Sequence, residues 1–357
     1  MNFDYNEEQQ LLADSVRRFL AKDYDFEARR KIVASDPGCS EKVWATFAEM
    51  GLTGLPFPAE HGGFGGGAVD LMAVMEAFGE ALVVEPYLPT VMAGRIVARS
   101  PLAGAILPAV IEGKMKLAFA HAERGARYDL AYVNAKASRN ADGWVLEGEK
   151  AAVVGAPMAD KLVVSARTSE GISLFLADRP DVEAFATLDG MRAADVLFQG
   201  AKAEKLEDGL ERVEEASDFA AALACAEAVG AMKFACDATL EYLKTRKQFG
   251  VPIGTFQALQ HRMVDMVIAQ EQARSMACLA CSKVDQSQDV KERMRSVSAA
   301  KIKIADSARH VSQEAVQLHG GMGMSEELKI SHTFRRLTVL AAQFGDADHH
   351  LARFASL

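Results

Sequence analysis

No apolar run in this chain reaches the roughly 18–20 residues that a membrane-spanning helix needs. The N-terminus, MNFDYNEEQQLL, lacks the basic-then-apolar leader of a secreted protein. Basic residues are in deficit: Lys plus Arg is 40 against 49 for Asp plus Glu, a formal charge of −9. A general nucleic-acid binder wants a basic face, so no nucleic-acid partner is expected, though a local basic pocket for a phosphorylated cofactor stays open. Cysteine is scarce: Cys39, Cys225, Cys236, Cys278 and Cys281. An odd number without a leader points to reduced thiols in a cytoplasm. Cys278 and Cys281 form a C-x-x-C, but no second Cys/His pair flanks it and no strand precedes it. Buried thiols on a helix face account for the pair better than a redox or metal site, and no metal is expected. Internal repeats and low-complexity segments are also absent.

What remains is an ordinary composition, 50% apolar and 25% charged over 357 residues. That length suffices for two or three domains with a real core.

Residues 5–105 read as helices. Asn6 with Glu8, Gln9 and Gln10 opens a pattern in which Leu11, Val16 and Phe19 recur at helical spacing. Trp44, Phe47, Met50 and Leu52 make a second. The Gly/Pro-rich stretch GLTGLPFPAEHGGFGGG at 51–67 reads as a loop, and Leu71 to Leu82 resumes helix. Near residue 115 the composition changes. LAFAH, AYVNAKA, WVLEG, KLVVSA, ISLFLA and ADVLF are short β-type runs between turn residues. Asp142-Gly143 is a hairpin signal, and the spacing predicts a small barrel or sandwich rather than βαβ units.

From about Asp218 the pattern is helical to the end. Phe219, Leu223, Ala226, Val229, Met232, Cys236, Leu240 and Leu243 step by three and four, with charges on the other side. A helix over 218–246 would run roughly 43 Å. A second helix starts near Phe256, a third spans about 290–318 and ends at Gly320-Gly321 as a C-cap, and a fourth covers about 325–355. Long helices with short connections predict an up-down bundle. The expected class is α+β, mostly α. Its parts are an N-terminal helical domain (1–115), a middle β-barrel or sandwich (116–212) and a C-terminal four-helix bundle (213–357).

Two motifs sit at turns of this bundle: RKQFG at 246–250 and QLHGGMG at 317–323. With the three-part order, the opening helix FDYNEEQQLLADSVRRFL, the interhelical loop EMGLTGLPFPAEHGGFGGG and the hairpin DGWVLEGEK, the whole chain resembles the acyl-CoA dehydrogenase family. It is most similar to small subunits of two-component members such as pimeloyl-CoA dehydrogenase. The resemblance implies α,β-desaturation of an acyl-CoA thioester, FAD as cofactor and an electron-transfer flavoprotein as acceptor. It implies that Arg246, Gln248 and Phe249 of one turn, and Gln317, Gly320 and Gly321 of the other, contact the ADP end of FAD. Arg246 would be a forked donor to pyrophosphate, and the side-chain-free backbone at Gly320-Gly321 would allow close approach. Taken alone, Arg246 is also what a helix C-terminus favours, and Gly320-Gly321 is also a C-cap.

The remaining parts of the family pattern are altered. The chemistry needs a carboxylate base within reach of the α-proton. The two places where the family carries its glutamate match Phe344 and about Ala220. Asp346 and Asp218 lie near these places as candidate bases, with a helix N-cap as the other reading of each. The Thr-Glu-Pro-x-x-Gly-Ser-Asp loop corresponds to AERGARYD at 122–129, losing its hydroxyls at Ala122 and Tyr128. Arg124 and Arg127 enter that loop, either toward CoA phosphates or as a solvated face. The family's Trp-Ile-Thr/Ser corresponds to Ala152, Val153 and Val154. His349 and His350 are either contacts for a polar acyl end or a helix-surface pair. The pattern implies a related large subunit in an α2β2 assembly. A self-sufficient homotetramer and a non-redox helical scaffold are the alternatives.

Overall fold

The computed structural model describes residues 5–141 and 143–357, with Asp208 by its backbone alone. The chain gathers into two compact units that do not follow sequence order: Met1–Arg30, Gly67–Val83 and Ala221–Leu357 in one, Lys31–Gly66 and Val84–Ala220 in the other.

The second unit is built on a closed sheet. Its strands are β1 (Leu117–Ala120), β2 (Lys136–Asn140), β3 (Gly143–Val154), β4 (Lys161–Thr168), β5 (Gly171–Asp178), β6 (Ala184–Ala186) and β7 (Arg192–Asp208). The hydrogen-bonded order runs β4-β2-β3-β7-β5, and β5 returns to β4, so the expected barrel closes. β1 lies parallel to β4, and β6 pairs with β7. Closure leaves few free edges, which suits strands this short. Leu146, Leu162, Val164, Phe175, Val196 and Phe198 fill the interior. β2 and β3 form the expected hairpin, with Asn140 opposite Gly143, while Asp142 itself lies outside the described residues. The run AYVNAKA is a strand only from Lys136. Its earlier N–H groups, those of Asn134 and Ala135, donate to the Glu123 carboxylate at 2.7 and 3.0 Å and are lost to the ladder.

The helices of this unit are α3 (Glu41–Glu49), α5 (Tyr87–Val97) and α6 (Ala103–Ile111). The helix expected through Leu52 stops early because Gly51 turns with φ +76°. The short α2 (Phe26–Ala34) follows α1 (Glu7–Asp23), which opens with a capping box between Asn6 and Gln9.

The first unit is a helical bundle of α1, α4 (Ala68–Ala81), most of α7 (Leu210–Thr245), α8 (Gln257–Gln286), α9 (Val290–His319), α10 (Lys329–Ala342) and α11 (Ala347–Ser356). α7 begins eight residues before the expected start at 218, so it spans about 54 Å. By length and composition it contains a stretch apolar enough to cross a membrane, which the sequence reading did not anticipate. However, 89% of that stretch is buried within the protein, so it is a core helix. Its small residues let α4 approach to backbone contact. A Cβ on Gly230 would stand 1.8 Å from the Glu76 carbonyl oxygen, and one on Gly79 would stand 1.9 Å from that of Glu227. Arg336 on α10 grips Glu227 with two bonds of 2.6 and 2.8 Å in the interior. Asp285 near the end of α8 accepts from the N–H groups of Ala68 and Val69 at 2.7 and 3.0 Å, capping α4 from another helix. Cys278 and Cys281 are buried free thiols, and burial raises the pKa of both.

The fourth bundle helix, expected as one piece over 325–355, is two. α10 ends at Ala342, and α11 starts at Ala347 with Asp346 as its N-cap. Phe344 and Gly345 between them take φ of +60° and +112°, which ends a right-handed helix.

Candidate functional site

α7 ends in a tight hairpin of β8 (Lys247–Gln248) and β9 (Val251–Pro252). Its two turn residues, Phe249 and Gly250, have φ of +52° and +82°, the signs of a type I′ turn. Phenylalanine is a poor choice for such a position. The residue is nonetheless 93% exposed, with an edge-on contact to Phe256 at 6.3 Å. A strained, exposed aromatic gains nothing for the isolated fold, and strain of this kind clusters at ligand-binding sites. Arg246 stands exposed at the base of the hairpin, its backbone tied by Ile253 N–H at 2.8 Å. Among the described residues its guanidinium has no ion pair. The Gln248 amide donates to the Lys247 carbonyl at 2.9 Å.

The end of α9 lies beside this hairpin. Tyr242 of α7 stacks on His319 of α9 with centroids 4.4 Å apart, and Arg262 of α8 donates to Glu314 of α9 at 2.6 Å. Gln317 is exposed on the last turn. Gly320 caps α9, its N–H bonded to the Gln317 carbonyl, and its φ of +62° requires glycine. Gly321 has no such requirement, and a Cβ there would meet nothing within 4 Å. Its missing side chain is unexplained by the chain's own packing. The six expected residues thus share one end of the bundle as an exposed surface with one free cation, one presented aromatic ring and a bare backbone turn. A pyrophosphate with its nucleotide fits that chemistry.

The candidate base positions have a different character. Ala220 is fully buried in α7. Asp218 is not the helix N-cap that the alternative reading expected: α7 starts eight residues earlier, and Asp218 is buried at 2% exposure inside it. Asp346 is an N-cap, accepting from His349 N–H at 2.8 Å, so its carboxylate is engaged in its own helix. His350 is no surface residue. It is buried, donates through Nε2 to the Phe344 carbonyl at 2.9 Å and meets Ser298 Oγ at 3.3 Å. Burial pushes its pKa down to about 3.

On the barrel, Ala152 sits in an irregularity where the β3–β7 register breaks between Lys150 and Val153. It has φ +49° and donates its N–H to Asp195 at 2.8 Å. Arg124, 70% exposed, pairs with the same Asp195 and with Glu149 at 3.0 Å. Its charge is therefore met by two carboxylates of its own sheet, which favours neither of the roles left open for it. This surface does not fit the aromatic-and-hydroxyl ring support that the resemblance describes.

The reading of the sequence missed a buried polar network inside the barrel. Lys150, fully buried, donates to Glu123 at 2.7 Å, to Ser165 Oγ at 3.0 Å and to the His121 carbonyl at 3.1 Å. His121 Nδ1 meets Ser165 Oγ at 2.8 Å. Burial pulls Lys150 down to about 8 and His121 to about 4. Burial works to raise Glu123, but bonds from Lys150 and from the N–H groups of Ala135 and Asn134 hold it below the usual carboxylate range. The network is closed to solvent and ties the 122–135 segment to the barrel.

A helical bundle together with a small barrel is the architecture that the resemblance implies. Comparison with known proteins agrees. Profiles for the N-terminal, middle and C-terminal domains of acyl-CoA dehydrogenase match residues 6–101, 118–199 and 207–356. The chain belongs to the acyl-CoA dehydrogenase family, oxidoreductases that act on CH–CH groups. It is 27% identical to the caffeyl-CoA reductase–Etf complex subunit CarC of Acetobacterium woodii, over 96% of each chain. Among solved structures it resembles the steroid acyl-CoA dehydrogenase Tcur3481–Tcur3483, with a TM-score of 0.91 and 28% identity over 98% of this chain and 97% of that one. It also resembles the FAD complex of PigA, with a TM-score of 0.90 and 25% identity over 100% and 98%.

Proposed function

We propose that this chain is one subunit of an FAD-dependent, heteromeric acyl-CoA dehydrogenase that introduces an α,β double bond into an acyl-CoA thioester. In this reading it supplies the ADP-end contacts. A related larger subunit supplies the carboxylate base and the flavin-ring pocket, in an α2β2 assembly with two FAD. The observation that carries it is a contrast: the exposed end with Arg246, Phe249 and Gly320-Gly321 is kept, while the base positions hold Phe344 and Ala220. FAD, when bound, supplies the hydride acceptor. Arg246 would neutralise pyrophosphate charge, Phe249 would pack on the nucleotide, and Gln317 with the glycine turn would orient it. A steroid relative built from two named chains supports the heteromer. A relative that is a subunit of a reductase–Etf complex supports an electron-transfer flavoprotein as acceptor.

The test is the FAD-to-protein ratio of the chain purified alone and co-expressed with a related large subunit. The expected result is a colourless protein alone and one FAD per heterodimer together. One FAD per chain in a homotetramer expressed alone would replace this reading with the self-sufficient enzyme, and no FAD in either case would leave the helical scaffold. Within the assembly, Arg246→Ala is expected to weaken FAD retention by roughly 1.5–3 kcal/mol, the worth of a charge-assisted bond, without lowering the melting temperature of the apoprotein. Equilibrium dialysis against limiting FAD measures it, and unchanged occupancy would make Arg246 only a surface cation.

A further inference from the structure

The two exposed turns of the candidate site are each tied to their own helix. Arg246 N–H donates to the Tyr242 carbonyl at 2.8 Å, and Ile253 N–H donates to that of Arg246 at 2.8 Å, which folds the hairpin back onto the last turn of α7. A Cβ on Gly254 would lie 3.0 Å from the Leu243 carbonyl oxygen, and one on Gly323 would lie 2.4 Å from that of Val316. Both turns therefore rest against the main chain of the helix they follow, and what is left to fix is the spacing between them. Tyr242 stands one helical turn before Arg246, and His319 stands directly before Gly320. Their rings stack at 4.4 Å with 27° between the planes, joining the last turn of α7 to the last turn of α9. His319 is 6% exposed and donates Nδ1–H to the Ala315 carbonyl at 2.8 Å, which holds its ring plane. Burial keeps its pKa below the ordinary histidine value, so two neutral rings meet at neutral pH.

We infer that the Tyr242–His319 stack is the joint that sets the spacing of the two turns, and that both are positioning residues for the nucleotide end of FAD. A ligand that bridges two turns binds when both stand at the right distance, and its apparent affinity falls with the fraction of chains in that arrangement. A stack between the helix ends raises that fraction before the ligand arrives, so less ordering is left for binding to supply. Neither ring needs to touch the cofactor. The inference rests on the reading above that these turns meet FAD.

Two measurements test it, one without FAD. All five cysteines are buried, so Lys247→Cys and Met324→Cys, at exposed positions of the two turns, take nitroxide labels selectively in the full-length chain. Dipolar electron-spin spectroscopy should give one narrow distance in this labelled background and with Tyr242→Phe, and a broadened one with Tyr242→Leu or His319→Leu. In the co-expressed assembly, dialysed against limiting FAD, each leucine variant should retain FAD roughly two- to tenfold more weakly, the span of an aromatic pair. Tyr242→Phe should match the wild type, and the double leucine variant should be no worse than either single one, since both break one contact. A distance that stays narrow in both leucine variants overturns the joint. Unchanged FAD retention in them, while Arg246→Ala weakens it, overturns the positioning role and leaves the reading of this end standing. If Arg246→Ala is without effect as well, the reading itself fails and takes the inference with it. If a leucine variant does not fold, His319→Gln, which removes the ring and keeps an N–H donor near Ala315, is judged by the same two measurements.

Discussion

Gly230→Ala is expected to cost more stability than any other single-methyl change in the bundle. The added Cβ would lie 1.8 Å from a backbone oxygen of α4, at Glu76, and no rotamer change can relieve a clash with main chain. α4 and α7 must separate by more than an ångström, and the reciprocal contact of Gly79 with Glu227, at 1.9 Å, opens with them. Overpacking a well-filled core costs typically 1–3 kcal/mol and occasionally more. This site belongs at or above the top of that range, because two helices must move together. The gain in helix propensity, about 1 kcal/mol, offsets only part. Gly104 on α6 is the control: a Cβ there meets nothing within 4 Å, so Gly104→Ala should be neutral or slightly stabilising. Thermal melts of the two variants should move in opposite directions or differ by several degrees. Equal melting would mean that α4 and α7 are not in backbone contact.

The same contact shows what a sequence discloses. Periodic apolar residues placed α8 and α9 within a few residues and α7 all but its first eight, and turn chemistry placed the RKQFG and QLHGGMG motifs at helix ends. Gly230 gave no such signal, because a glycine inside a helical pattern reads only as a small cost until its neighbour across the interface is known. The break in the last helix was hidden for a similar reason. Phe344 is no helix breaker by type. Lys301, more than forty residues earlier, and His350 impose the turn. Asp218 and His350 read as surface or capping residues by type and are buried by tertiary packing. The barrel network had a usable cue that went unread. Strand alternation puts Lys150 on the same face as Leu146, and Leu146 is an evident core residue.

Lys150→Met is expected to be the most damaging substitution in the barrel, and its penalty should depend on pH. Lys150 is fully buried and bonded to a carboxylate that is itself nearly buried. Removing one partner of such a pair leaves an uncompensated charge, at roughly 3–5 kcal/mol. The sign with pH follows from Glu123. Its native pKa is held below the usual carboxylate range, so in the wild type it binds fewer protons folded than unfolded. It therefore contributes stability above about pH 4.3, its unfolded value, and that contribution is lost as pH falls through the lower native value. In Lys150→Met the bonds from the cation are gone while burial remains, so Glu123 should titrate upward and accept a proton in the folded state. The variant's deficit should therefore be largest near pH 7 and shrink toward pH 5. Burial and then the Lys150 charge hold His121 down to about 4, so Lys150→Met should also let His121 rise, a change that works in the same direction and further shrinks the deficit toward pH 5. Denaturant unfolding of the wild type, Lys150→Met, Glu123→Gln and the double variant at pH 5 and 7 measures this. The double variant should recover much of the loss, because it removes both charges together. A Lys150→Met deficit that is constant between the two pH values would mean that the lysine serves by filling volume rather than by holding Glu123 ionised.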